Sequence, residues 1–302
     1  MIDLKELLEI TFPVAENSTQ SSFRFFPICN EYDFCTVIDD LALVPSSKKS
    51  NRINVAILFG ESHFISLLPT LARLVDMIIL ADIEVKLHLH NKHLLSTFRQ
   101  ANTISKFLEY YCANFPSKPF RHPDVPTKQT VYAQCNVLFG RKSRAFSSLK
   151  THHFLSSMQQ YQSCKLALER LSIVQIHLNL ADPQACLQLS SLLRKYQAQL
   201  TVCNFTNIHH YVEAKTLRST TSKLLRYSEP AYVLYSTGPS HHLTTHCTYE
   251  FSDYLNILGS NEPTLYSTLA SYIPCFFKQD TGSHTTEDQV ATHKLLTINK
   301  SA

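Results

Sequence analysis

The sequence predicts an α/β fold built on one doubly wound, mostly parallel sheet. Two observations carry that prediction. Short, continuous apolar runs, 53–59 and 77–81 first among them, have the pattern of strands buried on both faces. Between such runs stand segments with apolar residues at helical spacing, such as Leu67, Leu68, Leu71 and Leu74. Alternation of the two kinds requires crossover connections, hence parallel pairing with helices on both faces of the sheet.

The elements follow in order. Residues 1–50 read as an N-terminal extension or lid: a helix over 4–10, then an irregular aromatic segment with Phe23, Arg24, Phe25 and Phe26. That aromatic segment suits an apolar seam docking the extension onto the core, or a lid that stacks on a ring. A polar linker, SSKKSN at 46–51, leads into a domain spanning 51–278, and 279–302 is a polar, Ser- and Thr-rich tail expected to be loose. Within the domain, a strand at 53–59 ends on Gly60, a helix covers 66–74, and a strand at 77–81 stops at Asp82. Residues 86–111 are mostly helical, 114–130 a long loop, 131–139 a strand of poor alternation, and 143–171 helical. A strand at 173–180 leads to Asp182-Pro183, where Asp serves as an N-cap and Pro as the first helical residue. The helix 184–196, the strand 200–205, a helix to about 225, a strand at 231–235 and an antiparallel return at 247–251 complete the domain.

Composition narrows the function classes. The 302 residues are 44% hydrophobic and 17% charged, enough apolar material for a sizeable core. The net charge of +4 comes from scattered Lys and Arg with no phosphate-tracking run, so the sequence shows no nucleic-acid signature. Nine cysteines without a CxxC pair, several of them in apolar runs (Cys135, Cys203, Cys275), are expected to be reduced small hydrophobes. Acids among residues 1–11 argue against a secretory signal, and Arg73, Asp76 and Asp82 break the longest apolar stretch. A soluble cytoplasmic protein is the expectation. The few glycines, the abundance of Asn, Gln, Ser and Lys and the polar tail also fit an effector secreted by an intracellular bacterium. The sequence specifies neither an acceptor substrate nor an oligomeric state.

With only five glycines in the chain, Gly60 at a strand end is informative. In doubly wound sheets ligands sit beyond the carboxyl ends of the strands, where strand order reverses. Asp82 lies 22 residues after Gly60 at the next strand's tip, the spacing at which an acid accepts both ribose hydroxyls of an adenosyl ligand. The three-glycine fingerprint for a dinucleotide is missing. Glu61, Ser62 and His63 stand in its place, and Glu61 would repel a pyrophosphate. A cationic, phosphate-free cofactor fits this turn better than NAD, and S-adenosyl-L-methionine is one. Glu84 is a rival carboxylate whose place suits the start of the next helix.

At this point the chain resembles the class I, Rossmann-like methyltransferases. Residues 55–60 look like the first strand and glycine turn, 77–82 the second strand with its acidic end, 173–182 the fourth, 200–207 the fifth, and 231–250 the final antiparallel pair. The run Asn179-Leu-Ala-Asp182 looks like the motif that faces the methyl group. Asn204-Phe-Thr-Asn-Ile-His-His-Tyr211 is similar to a little-characterised bacterial branch. The resemblance covers about residues 52–258. It departs from the family in its single turn glycine and in an Asn at 179 where many members carry an acid. It implies cofactor contacts from Gly60, Glu61, His63, Asp82 and Asp182, and methyl transfer framed by Asn179, Asn204, Asn207 and Tyr211.

Each of these residues also has a structural reading. His63 can be a satisfied polar group at a helix start, Asp182 an ordinary N-cap, and Thr206 or Asn207 the cap of the next helix. The triplet His88, His90 and His93 does not make a metal site on a helix, because 88 and 90 lie about 200° apart, and no HExxH or Cys/His pairing accompanies it; no metal is expected. His241, His242 and His246 are no better placed. There is no GxSxG elbow and no phosphate-binding P-loop. The rival function is a binding or interaction protein on the same scaffold that transfers nothing.

Overall fold

The computed structural model describes residues 3–14, 34–44, 51–59, 64–115, 127, 129, 131, 152–205, 208, 212–227, 232–237 and 245–250. The elements, in chain order, begin with helices α1 (Leu4–Thr11) and α2 (Phe34–Leu43), then β1 (Ile53–Leu58), α3 (Phe64–Leu74) and β2 (Met77–Asp82). Next come α4 (Val85–Gln100), α5 (Ile104–Ala113), α6 (Met158–Glu169) and β3 (Ser172–His177). The order closes with α7 (Pro183–Lys195), β4 (Ala198–Asn204), α8 (Ala214–Leu224), β5 (Tyr232–Thr237) and β6 (Thr245–Glu250).

The sheet has the order β3-β2-β1-β4-β5-β6. β1 pairs in parallel with β2 and β4, β2 with β3, and β4 with β5; β6 alone runs antiparallel, against β5. This is the doubly wound, Rossmann-like methyltransferase type of fold, with the last strand reversed, that the sequence predicts. One expectation is corrected. The run near residue 173 is not the fourth strand beside β1; it pairs with β2 at the outer edge, and Ala198–Asn204 takes the place beside β1. The long stretch between β2 and β3 explains the miscount: it has room for another β-α unit, but its described part is α4, α5 and α6. Of the strand expected at 131–139, Val131 is helical and 132–139 lie outside the described residues.

Apolar residues alternate along each strand and divide the core in two. Ala56, Leu58, Ile78 and Leu80 face α2–α6, whereas Val55, Ile57, Ile79 and Ala81 face α1, α7 and α8. On the first face Phe98, Phe107, Phe154 and Tyr161 meet edge to face, with ring centroids 4.8–6.1 Å apart. The Tyr161 hydroxyl donates to the Ala101 carbonyl (3.1 Å), and the Lys165 ammonium reaches the same oxygen (2.6 Å), closing the carboxyl end of α4.

The described part of the N-terminal extension belongs to this core. Leu4, Leu8 and Phe12 pack on one face, and Ile38, Leu41 and Val44 on the other. The Phe12 carbonyl accepts the His177 N–H (3.1 Å), covering part of the outer edge of β3. The Arg73 guanidinium donates to Ala42 and Val44 carbonyls (2.9 and 3.2 Å) at the carboxyl end of α2. Helix α2 is an addition to the sequence reading, which has only irregular chain there. The aromatic segment at 23–26 and the tail at 279–302 lie outside the described residues.

Candidate functional site

The strand order places the crevice. β1 leads to β2 on one side, while β4 lies on its other side, so the connections diverge at β1/β4 and the carboxyl ends of these two strands form the switch point. Leu58 of β1 is in register with Leu80 of β2 and with Asn204 of β4. Alternation puts Asn204 on the face of Leu58 and Leu80, and Asp82, two residues beyond Leu80, on that face as well. On the opposite face Phe59 and Phe205, both buried, stack with centroids 5.8 Å apart and fill the crevice floor against the α7/α8 side.

Asp82 is held in a defined posture. Its Oδ1 accepts the Glu84 N–H (2.9 Å), and its carbonyl accepts Leu178 N–H (3.0 Å) and His88 Nε2–H (3.0 Å). A carbonyl only accepts, so His88 must carry its proton on Nε2. Burial holds His88 below the usual imidazole range, against the opposing pull of the Asp82 carbonyl, so it is neutral near pH 7. Glu84 caps α4 by accepting the Lys86 N–H (3.2 Å), the structural role expected of it. Asn204 is buried at the tip of β4.

The other expected residues are distributed differently. Asn179 is exposed, and its Oδ1 accepts the Ala181 N–H (2.8 Å) in a local turn. Asp182 is the N-cap of α7, accepting from Gln184 and Ala185 N–H (2.8 and 3.3 Å). Both follow the edge strand β3, three strand spacings or about 14 Å from β4. Asp82 and Asn204 thus share one face beside the crevice, while Asn179 and Asp182 follow the edge strand, next to the Leu178 N–H that bonds the Asp82 carbonyl. Gly60, Glu61, His63, Asn207 and Tyr211 lie outside the described residues.

The histidines of α4 make separate contacts. His90 shares a 2.7 Å hydrogen bond with the Tyr111 hydroxyl, and His93 Nε2–H donates to the Tyr111 carbonyl (2.8 Å). Burial, with a smaller contribution from His93, pushes His90 down to about 3, and burial also lowers His93. Among the described residues no three His, Cys, Asp or Glu side chains are grouped so as to hold a metal. Cys203 is a buried free thiol as expected, and burial pushes the thiols of Cys164 and Cys186 up to about 12. Among the described residues no helix is long and apolar enough to cross a membrane.

Two residues of the carboxyl edge have places that the sequence reading does not give them. His88 supports the tip of β2 from beneath, and Lys86, in the first turn of α4, is fully buried. The Asp82-x-Glu84-x-Lys86-x-His88 spacing was the available signal, but only an observed helix start turns it into neighbours in space.

No family model and no curated protein sequence matches the chain. Among solved structures it is similar to the rRNA methyltransferase aviRa from Streptomyces viridochromogenes, at 14% identity and a TM-score of 0.35, covering 72% of this chain and 77% of that one. A second structure of the same protein gives 15% identity and a TM-score of 0.33 over 72% and 76% of the two chains. The fold class stands on the strand order itself.

Proposed function

We propose that the chain is an S-adenosyl-L-methionine-dependent methyltransferase working at the crevice between β1 and β4. The observation that supports this reading is the strand order, which sets an acidic tip (Asp82) and an amide tip (Asn204) on one face of the sheet about the switch point. The cofactor, when bound, supplies an electrophilic methyl group on a sulfonium. Asp82 accepts the ribose hydroxyls: a carboxylate has about four lone-pair sites, so its turn bond to Glu84 is compatible with them. His88 and Leu178 hold the backbone of that tip still. The Asn204 amide orients the acceptor, and the sequence pattern adds Asn207 and Tyr211 to that role. Gly60, Glu61 and His63 line the cofactor's methionine part, where the Glu61 carboxylate suits an ammonium and not a phosphate. Rate enhancement comes mainly from positioning the acceptor in line with the methyl group.

Calorimetry and thermal shift with S-adenosyl-L-methionine and S-adenosylhomocysteine test the reading. Saturable binding that Asp82→Ala removes, with the unliganded melting temperature kept, is the expected result. No stabilisation at millimolar cofactor overturns it and leaves a methyltransferase-like scaffold that binds something else.

A further inference from the structure

The opposite, amino-terminal edge of the sheet carries a second cleft, open to solvent and about 520 Å³ in volume. Asn51 and Arg52 border it just before β1, Arg194 and Gln197 at the end of α7, and Tyr227 after α8. The Arg194 guanidinium lies 4.5 Å from the Tyr227 ring centre, and Arg226 covers the same ring at 5.6 Å. Among the described residues no carboxylate lines the cleft and none of these three arginines has an ion-pair partner. In sequence, Lys48 and Lys49 precede Asn51 and Glu229 follows Tyr227.

Part of this has an ordinary cause. Arg194 and Lys195 end α7 and offset its dipole. The dipole does not explain Gln197. Its φ is 54°, the one positive value at a non-glycine among the described residues. Helices commonly end with Gly or Asn in that left-handed position, because a Cβ is strained there. Strain retained at a cleft wall points from the outlier to a use of its side chain.

We propose that this cleft binds a nucleotide phosphate, free or within a strand. Guanidinium groups match phosphate oxygens in bidentate geometry, which favours Arg over Lys for such recognition. A guanidinium–tyrosine stack offers a planar face for a base. The side-chain amides of Asn51 and Gln197 can donate to and accept from ribose or base edges. The volume falls in the range of small-ligand sites, and the openness suits a ligand that continues beyond the cleft. The site is separate from the β1/β4 crevice, a strand length of on the order of 20 Å away; it anchors a ligand and performs no chemistry on it.

The test uses the full chain with two probes: AMP by calorimetry, and a fluorescein-labelled 12-nucleotide single-stranded RNA by anisotropy from 50 to 200 mM NaCl. Binding of either probe, weakened at least tenfold by Arg52→Ala/Arg194→Ala, is expected. For the RNA, that double variant should also flatten the log–log salt dependence by about 1.4. Comparable affinities for the two probes identify a free nucleotide, and much tighter RNA binding identifies a strand; both support the phosphate assignment. Arg194→Lys, which keeps the charge and loses the fork, should fall between wild type and the double variant. Lys106→Ala, removing an exposed cation elsewhere, should change neither. The arginines are exposed, and circular dichroism checks that the variants fold. Absence of binding by both probes at 50 mM salt, or equal binding by the double variant, overturns the proposal.

Discussion

The two edges of the one sheet differ in kind. At the carboxyl edge the polar groups, Asp82 and Asn204, stand at strand tips on one face, above stacked Phe59 and Phe205. At the amino edge the polar groups bind one another. The Asp76 carboxylate accepts from the Asn54 N–H (3.0 Å) and Nδ2–H (3.3 Å), and Thr201, the residue left over in the β1/β4 register shift, donates to Asn54 Oδ1 (3.3 Å). Around that sealed knot the arginines of the cleft remain turned to solvent. A parallel sheet offers its carboxyl edge to ligands because the turns there lead into helix starts. The amino edge receives helix ends and gathers cations there. One edge therefore presents an acid and an amide at strand tips, the other a set of solvent-facing arginines.

Substitutions separate the two edges, and the largest effect is expected at the first. Replacing Asp82 by Ala should weaken cofactor binding by roughly a hundredfold or more, since charge-assisted hydrogen bonds contribute about 1.5–3 kcal/mol each; calorimetry reads the loss, and a stability change beyond about 1 kcal/mol would mean the residue is mainly structural.

Acid comes next. The buried imidazoles are held neutral in the folded state, His90 with a folded value of about 3 against 6.5 unfolded. The unfolded chain therefore takes up protons first as the pH falls. The contribution of His90 is complete above 6.5 and is lost from there toward 3, by up to about 1.4 kcal/mol per unit, and His88 adds a loss of the same sign. Denaturant midpoints measured between pH 7 and 5 should fall, and His90→Phe should flatten the slope; a midpoint constant over that range contradicts the burial of these rings.

At the amino edge Asn54→Ala is expected to cost about 2 kcal/mol, because it removes the bonds to Asp76 and Thr201 from a buried position. Cofactor affinity should stay unchanged, and a parallel loss would join the two edges that the structure keeps apart. The smallest effect is a gain: Gln197→Gly relieves the left-handed strain and should raise stability by about 0.5–1 kcal/mol while weakening ligand binding in the cleft.

Much of this organisation was legible in the residues. The runs that became β1, β2 and β4 were apolar enough to read directly, and Asp182-Pro183 signalled the start of α7, where it caps the helix. Asp82 was legible because a strand followed by an acid is a local pattern. The position of β3 was not, since nothing in Ser172–His177 says which neighbour it pairs with; its side chains would be buried equally well beside β1 or beyond β2. That ambiguity is why the sequence reading puts the end of the fourth strand at Asn179 and not at Asn204. The arginine cleft was equally illegible. Arg52 and Arg194 are 142 positions apart in a chain whose basic residues looked scattered.

By itself, then, the sequence determined the class of fold, the acidic tip at Asp82 and the polar end at Asn204, all properties of apolar periodicity and of adjacent residues. Tertiary structure alone decided strand order, and with it the place of the crevice, the position of Asn179 and Asp182 beyond the edge strand, and the meeting of Arg52 with Arg194. Hydrogen bonding between parallel strands is nearly blind to side-chain identity. Strand order is thus settled by how crossover helices pack on the two faces, a property of the whole chain.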